Sequence, residues 1–208
     1  MSIVAEGAAT GGKLLRAICP ATVFYGLISY DAVDDDPDRG TMEVVTRLKT
    51  DADNPASHLG AAVRASGDND NKNAYYAYSI GSTNWRFRKT VNNSNTSFSD
   101  VDTGTSPSAG WAWLRLQATG TTVRFRTWAD GDDEPSTWAA SVTDSSLSIG
   151  WAALGLGAFE GSVYDFDLFG VGTGGDAATT APAAEVTGPL LRTPSGYLRT
   201  GSGILRPA

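Results

Sequence analysis

WAWLRLQATGTTVRFRTWAD, residues 111–130, is the stretch whose reading decides the fold. Apolar and polar side chains alternate on both sides of Thr119-Gly120-Thr121, the pattern of two half-buried strands joined by a tight turn. One face reads Ala112, Leu114, Leu116, Ala118 and then Val123 and Phe125, which is the composition of a core. The other reads Trp111, Trp113, Arg115 and then Arg124, Arg126 and Trp128, aromatic and cationic at once.

Period-two stretches recur outward from this hairpin, and long 3.6-residue periods are missing. The pattern predicts strands near 13–18, 23–30, 41–49, 58–65, 74–80, 84–91, 111–119, 121–129, 149–156 and 162–171. The breaks are turn chemistry: Asp34 to Gly40, Ser66 to Asn71, Asn92 to Asn95 and Asp130 to Pro135. In the last strand Tyr164, Phe166 and Leu168 fall on one side, with Asp165 and Asp167 on the other. About ten strands, with no helix to cross over a parallel sheet, predict an all-β fold: an antiparallel two-sheet jelly-roll sandwich.

The texture changes after Val171. Residues 173–187 are rich in Gly, Ala and Thr and read as a flexible linker. Residues 188–208 then carry a seven-residue repeat, LLRTPSG, YLRTGSG and a truncated ILRPA. Pro194, Gly196, Gly201 and Gly203 penalise a helix, so the period is not that of a coiled coil. Each unit is read as a short extended Leu-Arg step followed by a turn. Leu191, Arg192, Tyr197, Leu198, Arg199, Ile204, Leu205 and Arg206 are the expected anchors of an assembly arm. Such an arm gains order when a partner buries its apolar side chains and completes its main-chain hydrogen bonds.

Composition narrows the chemistry. The chain has 208 residues and a formal net charge of −7, yet its last 21 residues hold three Arg and no acid. The other 187 residues carry 13 basic and 23 acidic side chains, a net of −10. An acidic body disfavours nucleic acid, whose phosphates need a basic footprint. The basic arm suits docking on a copy of the same acidic surface. The opening Met-Ser-Ile-Val-Ala-Glu-Gly lacks the basic head and apolar stretch of an export signal, and no stretch is long enough to span a bilayer, so no membrane insertion is expected. A single Cys (Cys19) and a single His (His58) rule out an internal disulfide and Cys/His zinc sites, and disfavour a Ser-His-Asp or Cys-His relay. Cys19 is read as a small core hydrophobe.

The hairpin and its surroundings also resemble a known family. Trp111-x-Trp113-Leu114-Arg115-Leu116, then Gly120-Thr-Thr-Val-Arg124-Phe-Arg126-x-Trp128-Ala-Asp130-Gly131, then Glu134-Pro135-x-x-Trp138 are similar to concanavalin A-like (laminin-G-like) jelly-roll domains. The likeness is greatest to those carried by virion proteins of tailed bacteriophages. Tyr25 to Tyr30, Ala62 to Gly67 and Asn73 to Tyr76 fit the same pattern. The resemblance spans residues 10–172, leaving residues 1–9 as an N-terminal segment and the arm outside. It implies a two-sheet sandwich and a binding role, often with glycan as ligand. It also implies a place in a virion assembled in the host cytoplasm, with other virion proteins and copies of itself as partners.

Candidate sites follow. Aromatic planes lie well on sugar C–H faces, and guanidinium forks grip hydroxyls or acidic groups bidentately. Trp113, Arg115, Arg124, Arg126 and Trp128, extended by Trp85 from a neighbouring strand, therefore form a candidate glycan face for host polysaccharide. The same residues also make an Arg–Trp cation–π ladder covered by a loop or a neighbouring subunit. The two alternatives differ in one respect: a ligand face is open and a ladder is closed. A retaining glucanase of this fold needs two carboxylates about 5 Å apart. The family's Glu-x-Asp-x-x-Glu run is absent, and Asp165-x-Asp167 lacks a glutamate partner, so no enzyme is expected. Asp34-x-Asp36-x-Asp38 and Asp68-x-Asp70 bring together the hard oxygens that calcium requires. Neither matches an EF-hand loop: Gly40 comes one place late and Lys72 occupies a ligand position. They are read as solvated loops, with calcium as the alternative occupant, and no other metal and no cofactor is expected. The expected role is a non-enzymatic virion structural protein, tail-associated or fibre-like. The alternative is a capsid decoration protein making only protein–protein contacts.

Overall fold

A computed structural model of the chain describes residues 2–5, 13–18, 24–30, 40–51, 58–67, 71–158, 162–180, 198–200 and 203–205. Its strands are β1 (Ser2–Ala5), β2 (Lys13–Ile18), β3 (Phe24–Tyr30), β4 (Met42–Thr50), β5 (His58–Ser66), β6 (Asn73–Ser79), β7 (Asn84–Val91) and β8 (Ser94–Asp102). There follow β9 (Ala112–Thr119), β10 (Thr122–Ala129), β11 (Ala140–Thr143), β12 (Trp151–Ala158), β13 (Val163–Thr173), β14 (Leu198–Thr200) and β15 (Gly203–Leu205). One sheet has seven strands in the order β1-β2-β13-β4-β9-β10-β11, and a second has six in the order β3-β12-β5-β6-β7-β8. The fold is an all-β antiparallel jelly-roll sandwich. Among the described residues no helix is long and apolar enough to cross a membrane.

The hairpin reading holds in detail. Thr119 pairs with Thr122 and Trp113 with Trp128, with Gly120 at φ 55 opening the two-residue turn. Ala112, Leu114, Leu116, Ala118, Val123 and Phe125 are all fully buried in the main core. They meet Leu59, Val63, Tyr75, Trp85 and Phe87 from the opposite sheet. Each such large apolar side chain contributes about 1.5–3 kcal/mol by leaving water.

Three strands of the sandwich escape the alternation pattern. β1 is the outermost strand of its sheet, pairing Ser2 with Arg16 through Ala5 with Lys13, so the sandwich begins inside the segment 1–9. β8 also lies at a sheet edge and turns most of its Ser, Thr and Asn side chains to water. A bulge between Phe87 and Arg88 spaces its core residues Phe98 and Val101 by three instead of two. Its turn is short: Asn92 and Asn93 both take positive φ, 48 and 61, and the strand starts at Ser94. β11 is a four-residue strand beside β10.

Bulges also re-aim particular side chains. In β13 the pairing with β4 shifts between Phe166 and Leu168. Leu168 therefore leaves the face of Tyr164 and Phe166, and joins Val45, Trp128 and Ala178 on the outside of the seven-stranded sheet. Phe169 and Val171 pack against the core in its place. The chain then continues against the sheet. Ala178 is buried, and a Cβ on Gly172 or Gly170 would collide with Asp176 or Thr179. The predicted flexible linker is thus packed at least through Thr179, because small residues let this backbone lie flat on the sheet. Of the arm, Leu198–Thr200 pairs with Gly203–Leu205 as a two-stranded hairpin, Leu198 opposite Leu205 and Arg199 opposite Ile204. Leu191, Arg192, Tyr197 and Arg206 lie outside the described residues, as does Cys19.

Candidate functional site

On the aromatic and cationic face of the β9–β10 hairpin Arg115 and Trp128 are buried, while Trp113, Arg124, Arg126 and Trp138 keep part of their surface exposed. Trp113 and Trp128 stack on each other, ring centroids 5.7 Å apart and 3° from parallel, and Trp128 is buried among Val45, Leu168 and Ala178. Arg115 is buried and donates to Glu43, to both Glu134 oxygens (2.6 and 2.9 Å) and to the Ala178 carbonyl (3.0 Å). Arg126 meets Glu134 at 2.5 Å, and Arg124 donates to Gln117 at 2.8 Å. Both guanidinium groups lie 4.3 Å from the Trp138 ring. Beside them Arg47 bridges Asp130 and Asp167 and lies 4.4 Å over Trp111. The geometry is that of an Arg–Trp ladder, its Arg115 and Trp128 covered by the loop after β10 and the segment 174–180 and its outer members half-exposed. Trp85 has no part in it. It sits on β7 in the other sheet, points into the core fully buried, and donates to the Thr105 carbonyl at 2.9 Å.

The carboxylates weighed for catalysis are occupied as well. Asp165 pairs bidentately with Arg16 (2.7 and 2.8 Å), and Asp167 accepts from Arg47 at 2.6 Å. The acidic loops Asp34 to Asp38 and Asp68 to Asp70 lie outside the described residues. Among the described residues no group of three or more His, Cys, Asp or Glu stands where it could hold a metal ion.

A second aromatic and cationic set occupies the outer face of the six-stranded sheet. Strand alternation sends Tyr75 and Ala77 inward and Tyr76 and Tyr78 outward, and on β7 sends Trp85 and Phe87 inward and Arg86 and Arg88 outward. The register puts Tyr76 opposite Arg88 and Tyr78 opposite Arg86. On the other side Ala62 opposes Tyr76 and Gly60 opposes Tyr78, and the next strand brings Ala153 and Gly155. Two rows therefore run from small residues to tyrosine to arginine, and Ala62, Ala153, Tyr76 and Tyr78 in them are buried, at 6 % exposure or less. At Gly60 a Cβ would fall 2.1 Å from the Ala77 carbonyl oxygen, so close approach of β5 and β6 demands glycine there. Trp151 lies on the same face at the far end of β12, opposite Ala65.

The polar atoms of this face are what set it apart. Among the described residues, five buried side-chain polar atoms have no hydrogen-bond partner: Tyr76 Oη, Tyr78 Oη, Arg88 Nε, Trp151 Nε1 and Arg126 Nε. The first four belong here; Tyr76 Oη has Thr90 beside it and Tyr78 Oη has Arg86, neither in hydrogen-bond geometry. Buried polar groups are almost always satisfied, so a cluster of exceptions calls for an explanation. Arg86 is neutralised by Asp100 through two 2.7 Å hydrogen bonds. Arg88 instead lies over two rings, 4.9 Å from Tyr78 and 5.5 Å from Tyr76. Burial pushes the Tyr76 hydroxyl up to about 12, with Arg88 opposing. His58 packs on Tyr78 at 4.5 Å. Burial, and then Arg88 and Arg86, push its pKa down to about 4.

That depression has a measurable consequence. Between about pH 6.5 and 4 the unfolded chain protonates His58 while the folded chain does not, so stability falls as pH drops through this window. The depressed carboxylates Asp144, Asp130 and Asp100 add their losses from about pH 5 downward, as the unfolded chain begins to protonate them, so the His58 contribution is read between pH 7 and 5. Urea denaturation from pH 7 to 5 is expected to show this slope, and His58→Gln to flatten it. A slope unchanged in the variant contradicts the assignment.

At one end of the sandwich Arg64 closes a different structure. It is a non-glycine residue at φ 51, set where both of its strand's pairings shift register. It is 2 % exposed, and its guanidinium donates to the carbonyls of Gly40, Leu147 (2.8 Å) and Gly120 (2.7 Å). These residues, with Thr41, Thr121, Ser145 and Ser148, line a cavity of about 300 Å³. The nearby Asp144 is committed to Lys89 at 2.5 Å and to the Tyr75 hydroxyl at 2.7 Å. Arg64 is accordingly a tie between three loops.

No family model and no curated protein matches the chain. Solved structures do. The chain is similar to the carbohydrate-binding module CBM66 from Bacillus subtilis, with a TM-score of 0.52 and 14% identity over 83% of this chain and 91% of that one. A Bacillus licheniformis β-glucanase aligns with a TM-score of 0.49 and 10% identity over 76% of each chain. A further likeness is to the CBM2 module of the evolved Dit of Lactobacillus casei BL23 phage J-1 (0.41, 14% identity, 74% of this chain and 70% of that one). At these identities the likeness is one of fold and transfers no residue role.

Proposed function

We propose that this chain is a non-enzymatic glycan-binding component of a tailed-phage particle, tail-associated or fibre-like, which holds sugar on the outer face of its six-stranded sheet. The observation that carries the binding reading is the cluster of Tyr76, Tyr78, Arg88 and Trp151 with four unpartnered polar atoms on one face. Tyrosine and tryptophan offer flat apolar area for sugar C–H faces together with a polar tip. A binding rather than hydrolytic role is supported by Asp165 and Asp167, which are held by arginines on the other sheet. Placement in a virion, with other virion proteins and sister copies as partners, draws on the sequence resemblance and the repeat-bearing arm. Finding its peptides in purified particles tests that part.

Glycan-array screening followed by calorimetry tests the binding part. Tyr78→Ala and Trp151→Ala are each expected to weaken the parent's affinity at least tenfold, and Trp113→Ala to leave it within twofold. A parent that binds no glycan, or a loss confined to Trp113→Ala, overturns the reading.

A further inference from the structure

The arginines whose side chains are described divide by what neutralises them. Arg16, Arg47, Arg86, Arg115 and Arg126 each meet a carboxylate. Arg64 is saturated by carbonyls, and Arg124 sits on Gln117 and Trp138 in the ladder. Arg88 has neither. Its guanidinium lies over the Tyr76 and Tyr78 rings, it is only half-buried, and its buried Nε makes no hydrogen bond. A guanidinium partly withdrawn from water without a counter-charge is costly unless something completes it.

From this, resting on the glycan reading above, we propose that the ligand is an acidic glycan whose carboxylate or sulfate group seats on Arg88. The planar fork presents parallel N–H donors that match an oxyanion bidentately, and the two tyrosine rings lie against it. Trp151 Nε1–H adds a donor on the opposite side of the face, three strand spacings or about 14 Å away across β5 and β6. The acidic body sharpens the inference. A chain of net charge −7 repels polyanions in general, so binding of one requires a local cationic seat.

Calorimetry on the full chain with two matched pairs of polymers tests the proposal: polygalacturonate against its carboxyl-reduced form, and dextran sulfate against dextran. At least one acidic member is expected to bind tenfold or more tightly than its neutral partner. Which one binds separates a carboxylate seat from a sulfate seat. Arg88→Gln is expected to remove that preference, Arg88→Lys to keep part of it, and Arg124→Gln to leave it unchanged. Equal binding of acidic and neutral members, or a preference that survives Arg88→Gln, overturns the acidic-group proposal while leaving glycan binding intact. Absence of binding by these polymers and by the glycan array alike overturns both.

Discussion

Arg115→Met is expected to destabilise the sandwich by about 3–5 kcal/mol, the loss typical of breaking a buried ion pair from one side. Arg115 joins Glu43 on β4, Glu134 in the loop after β10, and the Ala178 carbonyl in the segment that crosses the sheet. Its loss leaves Glu43 buried with only Gln117 Nε2 and the Ala178 amide. Replacing both charges, as Glu43→Leu with Arg115→Met, is expected to recover most of the deficit because a well-packed apolar pair avoids the desolvation penalty. Urea unfolding of the two singles and the double gives the coupling directly. A loss under about 1 kcal/mol in Arg115→Met would place the pair with exposed surface bridges and contradict the buried-pair description.

Arg64→Met carries the second large effect, about 3–4 kcal/mol, since it strips three loop carbonyls of their donor at the end of the sandwich. Two companion variants separate the side chain from the backbone. Arg64→Lys is expected to recover less than half, because one ammonium cannot reach carbonyls on three loops. Arg64→Gly is expected to be no worse than Arg64→Met, because glycine takes φ 51 without strain. If Arg64→Met unfolds at the parent's urea midpoint, the three loops are held by something else.

The sequence made the fold readable because alternation is strong wherever one face of a strand is buried. Every core residue assigned to the 111–130 hairpin is fully buried. Legibility failed where alternation is broken or where both faces are polar. The bulge at Phe166 and Leu168 exchanged one core residue for another, and β8 vanished among its own serines and threonines. The candidate site was harder. Period two tells which side chains share a face of one strand, but not which strands share a sheet. Trp85 was attached to the wrong sheet for that reason. Nor does it tell which face other parts of the chain cover: Glu43, Glu134 and Ala178 reach the ladder from 72, 19 and 63 residues away. The signal that finds the second face was present in the same form. Tyr76-x-Tyr78 followed by Arg86-x-Arg88 repeats, one sheet over, the alternation that drew attention to Trp113-x-Arg115 and Arg124-x-Arg126.

The most direct test of a glycan seat on the six-stranded sheet is an NMR titration of the isotope-labelled chain with the tightest-binding oligosaccharide from the array. The account predicts that amide shifts concentrate at Gly60, Ala62, Tyr76, Tyr78, Arg88 and Ala153, with Trp113, Arg115 and Trp128 unmoved. Shifts confined to the seven-stranded sheet, with the Tyr76–Tyr78 strand silent, would contradict it.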